Sequence, residues 1–389
     1  MTPHYDIAVI GGGIQGAGVA QAAVAAGYSV VVLEQTGIGS GTSSRSSKLI
    51  HGGLRYLESG QFALVRKALQ ERALLLKLAP ELVRLVPFNI PIYRTSHRRP
   101  WQIRAGLSLY ALLGNLSRDA RYKKLSHRQW PTLDGLITDN LQAVYQYHDA
   151  QTDDIALTRA VMHSATQLGA TLHCPAKLEQ LESITTGFML GYQQQGQQHE
   201  CTSRMVINAA GPWVNRVLSL INTPETHLDI ELVQGSHLIL DAPAPAGIYY
   251  VEAPQDQRAV FVMPWQKKTM IGTTEHAYHG EPENVHILPA EQDYLLDIYR
   301  HYFPANEPQI TASFAGLRVL PKTTHNIFNR PRDTIIYNDQ QHPDLITLYG
   351  GKLTGYRATA QQVMQKILPL LPVKKAVADT RTIRLLPVD

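Results

Sequence analysis

The sequence predicts an α/β fold in which a Rossmann-like nucleotide-binding domain is interrupted by an α+β domain built on an antiparallel sheet. The chain opens with the strand IAVI, the turn GGGIQG, an alanine-rich helix to about Ala26, and the strand SVVVLE. Its middle contains VQGSHLIL, AVFVMPW and KTMIGTT, which alternate as antiparallel strands do. A short apolar strand at 345–349 precedes GGKLTGYR and a last helix. Because apolar strands near both ends flank the antiparallel middle, we expect an inserted domain.

The boundaries of the two domains follow from these patterns. We assign 1–90, 151–225 and 315–389 to the nucleotide-binding domain, and 91–150 and 226–314 to the second, substrate-binding domain. Helical spacing of apolar residues predicts helices over 63–86, 153–168 and 291–302. The passage 126–152 is predicted to hold connections and short strands.

Composition excludes several classes of protein. With 389 residues and 44% hydrophobic content, the chain can bury a real core. The cysteines Cys174 and Cys201 form neither a disulfide framework nor a metal motif, so we predict reduced thiols and no metal site. Residues 7–33 are apolar, but no Lys or Arg precedes them and glycines interrupt them, so we expect neither a secretory signal nor a membrane span.

Positive charge is concentrated in one segment. Residues 94–124 contain one acid, Asp119, and eight bases: Arg94, Arg98, Arg99, Arg104, Arg118, Arg121, Lys123 and Lys124. The rest of the chain has 28 basic and 31 acidic residues, so this segment supplies the whole basic excess, which suggests an anionic partner. Trp101–Leu116 fits an amphipathic helix on an anionic membrane surface. The alternative is a helix of the second domain with exposed arginines. Nucleic acid is not expected, because no recognition module is present.

The glycine turn predicts a dinucleotide site. Gly11 permits a tight turn, Gly13 admits the pyrophosphate, and Gly16 lets helix and strand pack closely. The phosphate charge then lies at the helix N-terminus. Glu34 ends the next strand, where it can accept hydrogen bonds from ribose hydroxyls. The neighbouring Ile14, Gln15 and Gln35 are assigned to the same site.

A second run, TSSRSSKLIHGGLRYLE from Thr42 to Glu58, favours a longer cofactor than a nicotinamide dinucleotide. Its hydroxyl and amine donors suit ribityl and phosphate oxygens, and its glycines let backbone approach a flat ring. The two motifs together predict bound FAD; the alternative is a polar helix cap. The residues assigned here to the cofactor are Thr42, Ser43, Ser44, Ser46, Ser47, Lys48, Leu49, His51, Gly52 and Gly53.

Further candidates lie in short motifs along the chain. NAAGPWV has small residues that suit close approach to a cofactor, AGLRVLP and GGKLTGYR present cations after glycines, and QGSHLIL places His237 on a strand. Each motif alone fits an ordinary turn or surface residue. The cofactor residues added here are Lys177, Ala209, Ala210, Gly211, Trp213, Gly316, Arg318, Gly351, Lys352, Leu353 and Thr354.

Together these motifs resemble the FAD-dependent, respiratory glycerol-3-phosphate dehydrogenases, within the wider D-amino-acid-oxidase-like flavoproteins. The resemblance runs through GGGIQGAG, TSSRSSKLIHGGLRYLE, HRRPWQIRAGLSLY, NAAGPWV, GSH, FVMPW, IGTTE, AGLRVL and GGKLTGYR. It implies oxidation of sn-glycerol 3-phosphate to dihydroxyacetone phosphate, with electrons passed to quinone by a cytoplasmic protein held peripherally at the inner face of the cell membrane. The residues implied to surround the substrate are Arg55, Tyr56, His237, Arg318, Lys352 and Thr354.

The chemistry implied is hydride transfer from the carbinol carbon to flavin N5 while the hydroxyl proton leaves. Arg55 and Arg318 are candidates for fixing the substrate anion, because guanidinium groups suit phosphate or carboxylate oxygens. His237 is the candidate proton acceptor. Lys352 is the candidate for stabilising the developing alkoxide or the reduced ring. Arg55, His237, Arg318 and Lys352 are therefore the predicted catalytic set.

Departures from the family pattern keep other functions open. Gln234 stands where a lysine commonly precedes GSH, Val319 replaces a proline, Lys322-Thr323-Thr324 replaces an acidic run, and Gly355 replaces a threonine. The chain stops at Asp389, without the family's further helical domain. One alternative is a flavin dehydrogenase or oxidase of a 2-hydroxy acid or amino acid. The other is a non-catalytic flavin-binding subunit.

Overall fold

The computed structural model describes residues 2–221, 227–305, 307–322, 333–338 and 341–388, with the side chain of residue 118 excluded. It contains two sheets. The first sheet comprises β1 (His4–Ile10), β2 (Val30–Leu33), β7 (Thr171–His173), β8 (Lys177–Ile184), β9 (Gly187–Gln194), β10 (Gln197–Asn208), β17 (Ile335–Asn338) and β18 (Leu345–Tyr349). The second comprises β3 (Leu49–Ile50), β4 (Val83–Tyr93), β5 (Lys123–Lys124), β6 (Leu141–Thr152), β11 (Ile230–Pro243), β12 (Ile248–Glu252), β13 (Ala259–Trp265), β14 (Lys268–Gly272), β15 (His276–Tyr278) and β16 (Ile310–Pro321).

Helices pack against both sheets. They are α1 (Ile14–Ala25), α2 (Phe62–Leu78), α3 (Pro100–Leu113), α4 (Asp154–Gln167), α5 (Val214–Leu218), α6 (Pro289–Tyr302) and α7 (Tyr356–Ile367). Short 3-10 helices include Leu54–Leu57 after β3 and Leu353–Gly355 after β18. No helix in the described residues combines the length and apolar character needed to cross a bilayer.

The first sheet is the predicted nucleotide-binding sheet. Its path is β17-β18-β10-β1-β2-β7, with β1 parallel to β2 and β10, and β8 and β9 as an antiparallel extension of β10. The segment 7–10 of β1 and the whole of β2 are apolar and buried because helices cover the sheet, as expected for parallel strands. Alanines of α1, including Ala17, Ala20 and Ala23, are fully buried in that core. The predicted α/β fold is thereby confirmed.

The second sheet is mostly antiparallel. Its path is β15-β11-β14-β13-β12-β4-β6-β3, and β16 pairs with β11 along nearly its whole length. Helix α6 packs on one side, with Leu295 and Ile298 fully buried. Strand β3 precedes the predicted boundary at residue 90, β4 crosses that boundary, and β16 crosses the boundary at 314. The two sheets therefore interleave in sequence more finely than expected. The domain boundaries stay a prediction.

Two local predictions are wrong. The helix expected over 63–86 ends at Leu78, and β4 begins at Val83. Pro80 explains the early end, because a proline disfavours helical conformation in the residue before it. The passage 126–152 contains one twelve-residue strand, β6, rather than only short strands.

Candidate active site

One large cavity lies where the two sheets meet. Its volume is about 720 Å³, within the range of ligand pockets. Its lining includes Glu34 and Lys177 of the first sheet region, together with Tyr56, His237 and Arg318 of the second. The glycine turn follows the carboxyl end of β1, where open α/β sheets bind ligands.

The glycine turn closes tightly for steric reasons. Gly11 has a φ of 106°, in the left-handed region, and a Cβ there would lie 2.7 Å from the Ala209 carbonyl oxygen. A Cβ on Gly16 would lie 1.9 Å from the Gly11 carbonyl oxygen. Since neither backbone atom can move far, both positions need glycine. Gly16 acts through this packing and does not line the cavity.

The start of α1 provides a site for negative charge. Its first turn contains no acidic residue, and its N-cap, Gly13, supplies no side-chain hydrogen bond. The Ile14 amide instead donates to Ser43 Oγ at 2.9 Å, so the predicted donor run reaches the helix N-terminus. Gln15 lines the cavity, and its buried Oε1 has no hydrogen-bond partner among the described residues. The positive N-terminus of this helix fits the pyrophosphate of FAD.

The Glu34 carboxylate accepts more hydrogen bonds from the chain itself than the sequence predicts. Its Oε1 accepts hydrogen bonds from the Thr36 amide and hydroxyl and from the Gly37 amide, and its Oε2 accepts from the Gly12 amide at 2.6 Å. A carboxylate has about four lone-pair sites, two on each oxygen. Room therefore remains on Oε2 for one ribose hydroxyl, whereas Oε1 is already occupied by the chain.

The predicted donor run divides into cavity and structural residues. Ser46 and Ser47 line the cavity, but Ser44 and Lys48 do not. Lys48 is buried, and its Nζ donates to Asp154 Oδ1 and to the Ser44 carbonyl, both at 2.6 Å. The Asp154 carboxylate neutralises the ammonium and also accepts from Ser46, so Lys48 anchors the loop to α4.

His237 is a buried, neutral imidazole. Burial lowers its pKa to about 3, with the charges of Arg318 and Lys48 acting in the same direction. Its Nε2 lies 2.9 Å from Ser47 Oγ, its ring stacks on Phe314 at a centroid distance of 4.8 Å, and Nδ1 has no hydrogen-bond partner among the described residues. The ring is therefore fixed in position and free of charge at neutral pH.

Arg318 enters the cavity from β16 and is held by a buried carboxylate. Its Nη1 lies 3.4 Å from Glu275 Oε1, and Arg258 Nη2 lies 3.2 Å from Glu275 Oε2. The Glu275 side chain is 1% exposed, whereas that of Arg318 is 31% exposed. Arg318 lines the cavity, but Arg258 does not. One carboxylate thus orients a guanidinium that faces the cavity.

The turn after β18 meets the second half of the donor run. The His51 amide donates to Thr354 Oγ1 at 3.2 Å, and Lys352 Nζ lies 3.9 Å from the centre of the Tyr56 ring. This distance fits a cation–π contact. Burial lowers the pKa of His51, and Lys352 and Arg72 act in the same direction against Asp149. Segments about 300 positions apart therefore converge here.

Almost all predicted site residues line this one cavity. Its lining includes Gly11, Gly13, Ile14, Gln15, Glu34, Gln35, Thr42, Ser43, Ser46, Ser47, Leu49, His51, Gly52, Gly53, Arg55, Tyr56, Lys177, Ala209, Ala210, Gly211, Trp213, His237, Gly316, Arg318, Gly351, Lys352, Leu353 and Thr354. The exceptions are Gly16, Ser44 and Lys48. The assignment of these residues to ligands stays a prediction, and their common location is what supports it.

Several lining residues were not predicted from the sequence. Arg45 lies inside the donor run, and Tyr250, Phe261 and Thr273 come from strands β12, β13 and the end of β14. Arg45 could have been selected from its place between Ser44 and Ser46. The aromatic residues carry no comparable signal, because alternation in a strand does not say which face meets a ligand.

The departures from the family pattern fall mostly outside the cavity. Gln234 and Gly355 do not line it, whereas Val319 does. Gln234 Nε2 donates to Glu291 Oε2 on α6 at 2.6 Å, on the opposite side of the strand from the cavity. A Cβ on Gly355 would meet no atom within 4 Å. Thr323 and Thr324 lie outside the described residues. Gln234 and Gly355 therefore give little support to a different substrate.

Comparison with known proteins agrees with this geometry. The sequence model of the family "FAD dependent oxidoreductase" matches residues 6–359. A glycerol-3-phosphate dehydrogenase of Pseudomonas tolaasii is 35% identical over 372 residues, 94% of this chain and 72% of that protein. A D-erythritol 1-phosphate dehydrogenase of Brucella abortus is 33% identical over 375 residues, 94% and 74% of the two chains.

A solved structure gives the same answer for the fold. The glycerol-3-phosphate dehydrogenase of Bacillus halodurans, complexed with FAD, superimposes with a TM-score of 0.74 at 26% identity, covering 98% of this chain and 68% of that one. The resemblance predicted from the sequence, and FAD as the cofactor, are confirmed. The chain belongs to the FAD-dependent oxidoreductase family and is a glycerol-3-phosphate dehydrogenase-like enzyme within it.

Proposed function

We propose that this protein oxidises sn-glycerol 3-phosphate to dihydroxyacetone phosphate and passes the electrons to a quinone at an anionic membrane surface. The observation that carries the proposal is that three cations line the cavity, and we call the positions that they occupy its cationic part. Arg55, Arg318 and Lys352 line it together with the neutral His237. A phosphate monoester brings nearly two negative charges at neutral pH, which two guanidinium groups and an ammonium suit.

The names of the relatives point in the same direction. Both the Pseudomonas tolaasii and the Brucella abortus enzymes are named for polyol phosphates, and neither for an amino acid or a 2-hydroxy acid. FAD, when bound, supplies the electron acceptor for such a carbinol. The chain supplies binding, orientation and a place for the hydroxyl proton.

In this proposal Arg55 and Arg318 hold the phosphate, and His237 accepts the hydroxyl proton. Its lowered pKa keeps the imidazole neutral and able to accept, but also makes it a weak base. A bound phosphate beside Arg318 offsets the repulsion that this guanidinium exerts on a protonated imidazole. Substrate binding therefore weakens the second cause of the lowered pKa, whereas burial, the largest cause, remains.

The reaction is tested by anaerobic titration of the FAD-bound protein with sn-glycerol 3-phosphate. We expect the oxidised flavin absorbance to bleach with this substrate and to remain with glycerol, a 2-hydroxy acid or glycine at equal concentration. Bleaching by the hydroxy acid or amino acid alone would replace the proposed substrate. No bleaching with any of them would favour a non-catalytic flavin-binding subunit.

The membrane surface is proposed from the outer face of α3. Trp101 and Leu112 lie eleven positions apart, about three helical turns, and are 69% and 60% exposed. Leu107 and Tyr110 on the inner face are buried. The surrounding exposed basic residues are Arg94, Arg99, Arg104, Arg121, Lys123 and Lys124. Apolar side chains among bases suit an anionic interface better than water.

Vesicle sedimentation tests the surface. We expect binding to phosphatidylglycerol-containing vesicles, little binding to pure phosphatidylcholine, and loss of binding in a Trp101→Ser, Leu112→Ser variant. A matched control is Leu368→Ser with Leu370→Ser, which removes apolar residues 43% and 53% exposed elsewhere. Equal losses in both variants would contradict the assignment to α3.

The electron acceptor is tested separately. We expect a quinone analogue to reoxidise the reduced protein faster than oxygen does.

A further inference from the structure

One arginine of the basic segment is tied into an internal ion-pair network. The guanidinium of Arg98 grips Glu58 with two nitrogens, Nε to Oε1 and Nη2 to Oε2, the latter at 2.9 Å. Its Nη1 donates to Glu252 Oε1 at 2.6 Å. Hydrogen bonding to Glu58 raises the pKa of Arg98. Because one planar group satisfies two carboxylates, Arg98 fixes their separation.

The two carboxylates belong to elements that both reach the cavity. Glu58 directly follows the 3-10 helix Leu54–Leu57, which carries Arg55 and Tyr56. Glu252 ends β12, whose Tyr250 lines the cavity. Burial raises the pKa of Tyr250, and the charges of Arg98, Arg55, Glu58 and Glu252 all act on its hydroxyl. The network therefore connects two elements that line the cavity, one carrying Arg55 and Tyr56 and the other carrying Tyr250.

The β12 side of this network is anchored independently. The His97 amide donates to Glu252 Oε2 at 2.8 Å, and the Tyr302 hydroxyl donates to the Glu252 carbonyl at 2.6 Å. Glu252 is 17% exposed, whereas Glu58 is 52% exposed. Arg98 therefore connects a well-packed strand to a more exposed loop.

The loop is a short turn whose side chains Leu54, Tyr56 and Leu57 pack against a buried hydrophobic cluster. A 3-10 helix of four residues has poor hydrogen-bond geometry, and here Glu58 N–H donates to the Arg55 carbonyl at 3.2 Å. The helix starts from Gly53, which has a φ of 76° and where a Cβ would lie 2.3 Å from the Tyr56 ring. The direction of Arg55 and Tyr56 thus depends on contacts made outside the turn.

We propose that Arg98 is a positioning residue for substrate binding. Its grip on Glu58 holds Arg55 and Tyr56 over the cavity, although Arg98 itself does not line the cavity. This inference rests on the proposed function, since it assigns Arg55 to the substrate anion. It also removes Arg98 from the charges available to a membrane surface.

Substitution at position 98 tests the proposal. We expect Arg98→Met to raise KM for sn-glycerol 3-phosphate about tenfold, with a smaller change in kcat and with flavin content unchanged. Arg98→Lys keeps the charge but cannot reproduce the forked contact, so we expect only partial recovery. Arg159→Met removes an exposed arginine of α4, outside both the cavity and the proposed membrane surface, and should leave KM unchanged. An unchanged KM in Arg98→Met would overturn the proposal, as would an equal rise in Arg159→Met.

A double-mutant comparison separates positioning from general damage. In an Arg55→Met background, Arg98→Met should raise KM no further, because the residue that it positions is gone. The same fold increase in both backgrounds would show that Arg98 acts elsewhere. Loss of flavin or a large fall in Tm in Arg98→Met would assign it a structural role.

A binding measurement keeps this inference distinct from the proposed reaction. Inorganic phosphate, titrated into the FAD-bound protein and followed by the flavin spectrum, should bind about tenfold more weakly to Arg98→Met than to the unmodified chain. Phosphate binding that is equal in both proteins contradicts the positioning role. Absence of phosphate binding and of turnover in the unmodified chain contradicts the proposed function and, with it, this inference.

Discussion

The two parts of the cavity are built by opposite means. At the start of α1, the geometry comes from one short stretch, in which Gly11 and Gly16 bring β1 and α1 together and the helix N-terminus faces the cavity. At the cationic part, Arg55, Arg318 and Lys352 arrive from three distant segments and both sheets. The first part uses backbone groups, and the second uses side chains.

This difference predicts how each part responds to mutation. A backbone site fails when a side chain is added, because carbonyl oxygens cannot move aside without unfolding the turn. A side-chain site fails when a functional group is removed, and the fold survives. Cofactor retention should therefore depend most on the glycine turn, and substrate affinity most on the distant cations.

The largest expected effect follows from Gly16→Ala. The added Cβ would lie 1.9 Å from the Gly11 carbonyl oxygen, so β1 and α1 must separate. We expect a loss of about 3 kcal/mol in the free energy of unfolding, and loss of FAD. Denaturant unfolding and the flavin-to-protein ratio measure both. Gly106→Ala in α3 is the control, because its Cβ meets no atom within 4 Å; equal damage there would contradict the steric argument.

Arg318→Ala should weaken substrate binding at the cationic part of the cavity while leaving the cofactor part at the start of α1 intact. Removing a charged hydrogen-bond donor from the substrate anion should raise KM about 10- to 100-fold, with FAD retained. Arg258→Ala provides a matched control, since Arg258 contacts the same Glu275 carboxylate but does not line the cavity. Steady-state kinetics of both variants decide the point. A KM that rises equally in the two would show that Glu275, rather than substrate contact, explains the effect.

His237 predicts a pH dependence of stability. Its pKa is about 3 in the folded protein and about 6.5 when unfolded, so the unfolded chain binds more protons between these values. The contribution of the neutral imidazole to the free energy of unfolding is fully present above pH 6.5 and is lost as the pH falls towards 3. Between pH 7 and pH 5 the loss is about 2 kcal/mol.

Comparing variants isolates that contribution. His237→Gln cannot titrate, so its unfolding free energy should fall by about 2 kcal/mol less than that of the unmodified chain between pH 7 and pH 5. Urea unfolding at the two pH values measures the difference. His163→Gln changes an exposed histidine of α4 and should follow the unmodified chain. Parallel curves for all three proteins would show that burial at position 237 does not control its protonation.

The fold was largely predictable because its signals are local. The turn after β1, the helix start at Asp153 and the strand β18 all follow from residues within about ten positions of each other. The helix predicted over 63–86 is wrong beyond Leu78, because the apolar spacing continues past Pro80 although a proline disfavours helical conformation in the residue before it. Propensity and periodicity therefore suffice where no distant partner competes.

The site was only partly predictable because the partner of a charged side chain can lie far away in the sequence, where no local pattern indicates it. Lys48 has the right chemistry for phosphate, but Asp154, 106 positions away, takes its ammonium group. Gln234 looks like a substitution in the site until Glu291 is seen to bind its amide behind the sheet. From the sequence, Arg98 is one surface charge among several, whereas in the structure its guanidinium binds Glu58 and Glu252. Residue type identifies candidates, and only the structure distinguishes ligand contacts from internal ion pairs.

The smallest expected effect concerns the substitution that most resembles a change of substrate. Gly355→Thr introduces the residue usual in the related dehydrogenases, at the N-cap of α7 and outside the cavity. Its Cβ meets no atom within 4 Å, and Thr and Gly have similar N-cap preferences, so stability should change by only a few tenths of a kcal/mol. KM for sn-glycerol 3-phosphate should stay within about twofold, since the cations of the cavity remain in place. A KM that falls tenfold would show that the side chain at position 355 does reach the substrate, and that the substrate site extends beyond Thr354 to the start of α7.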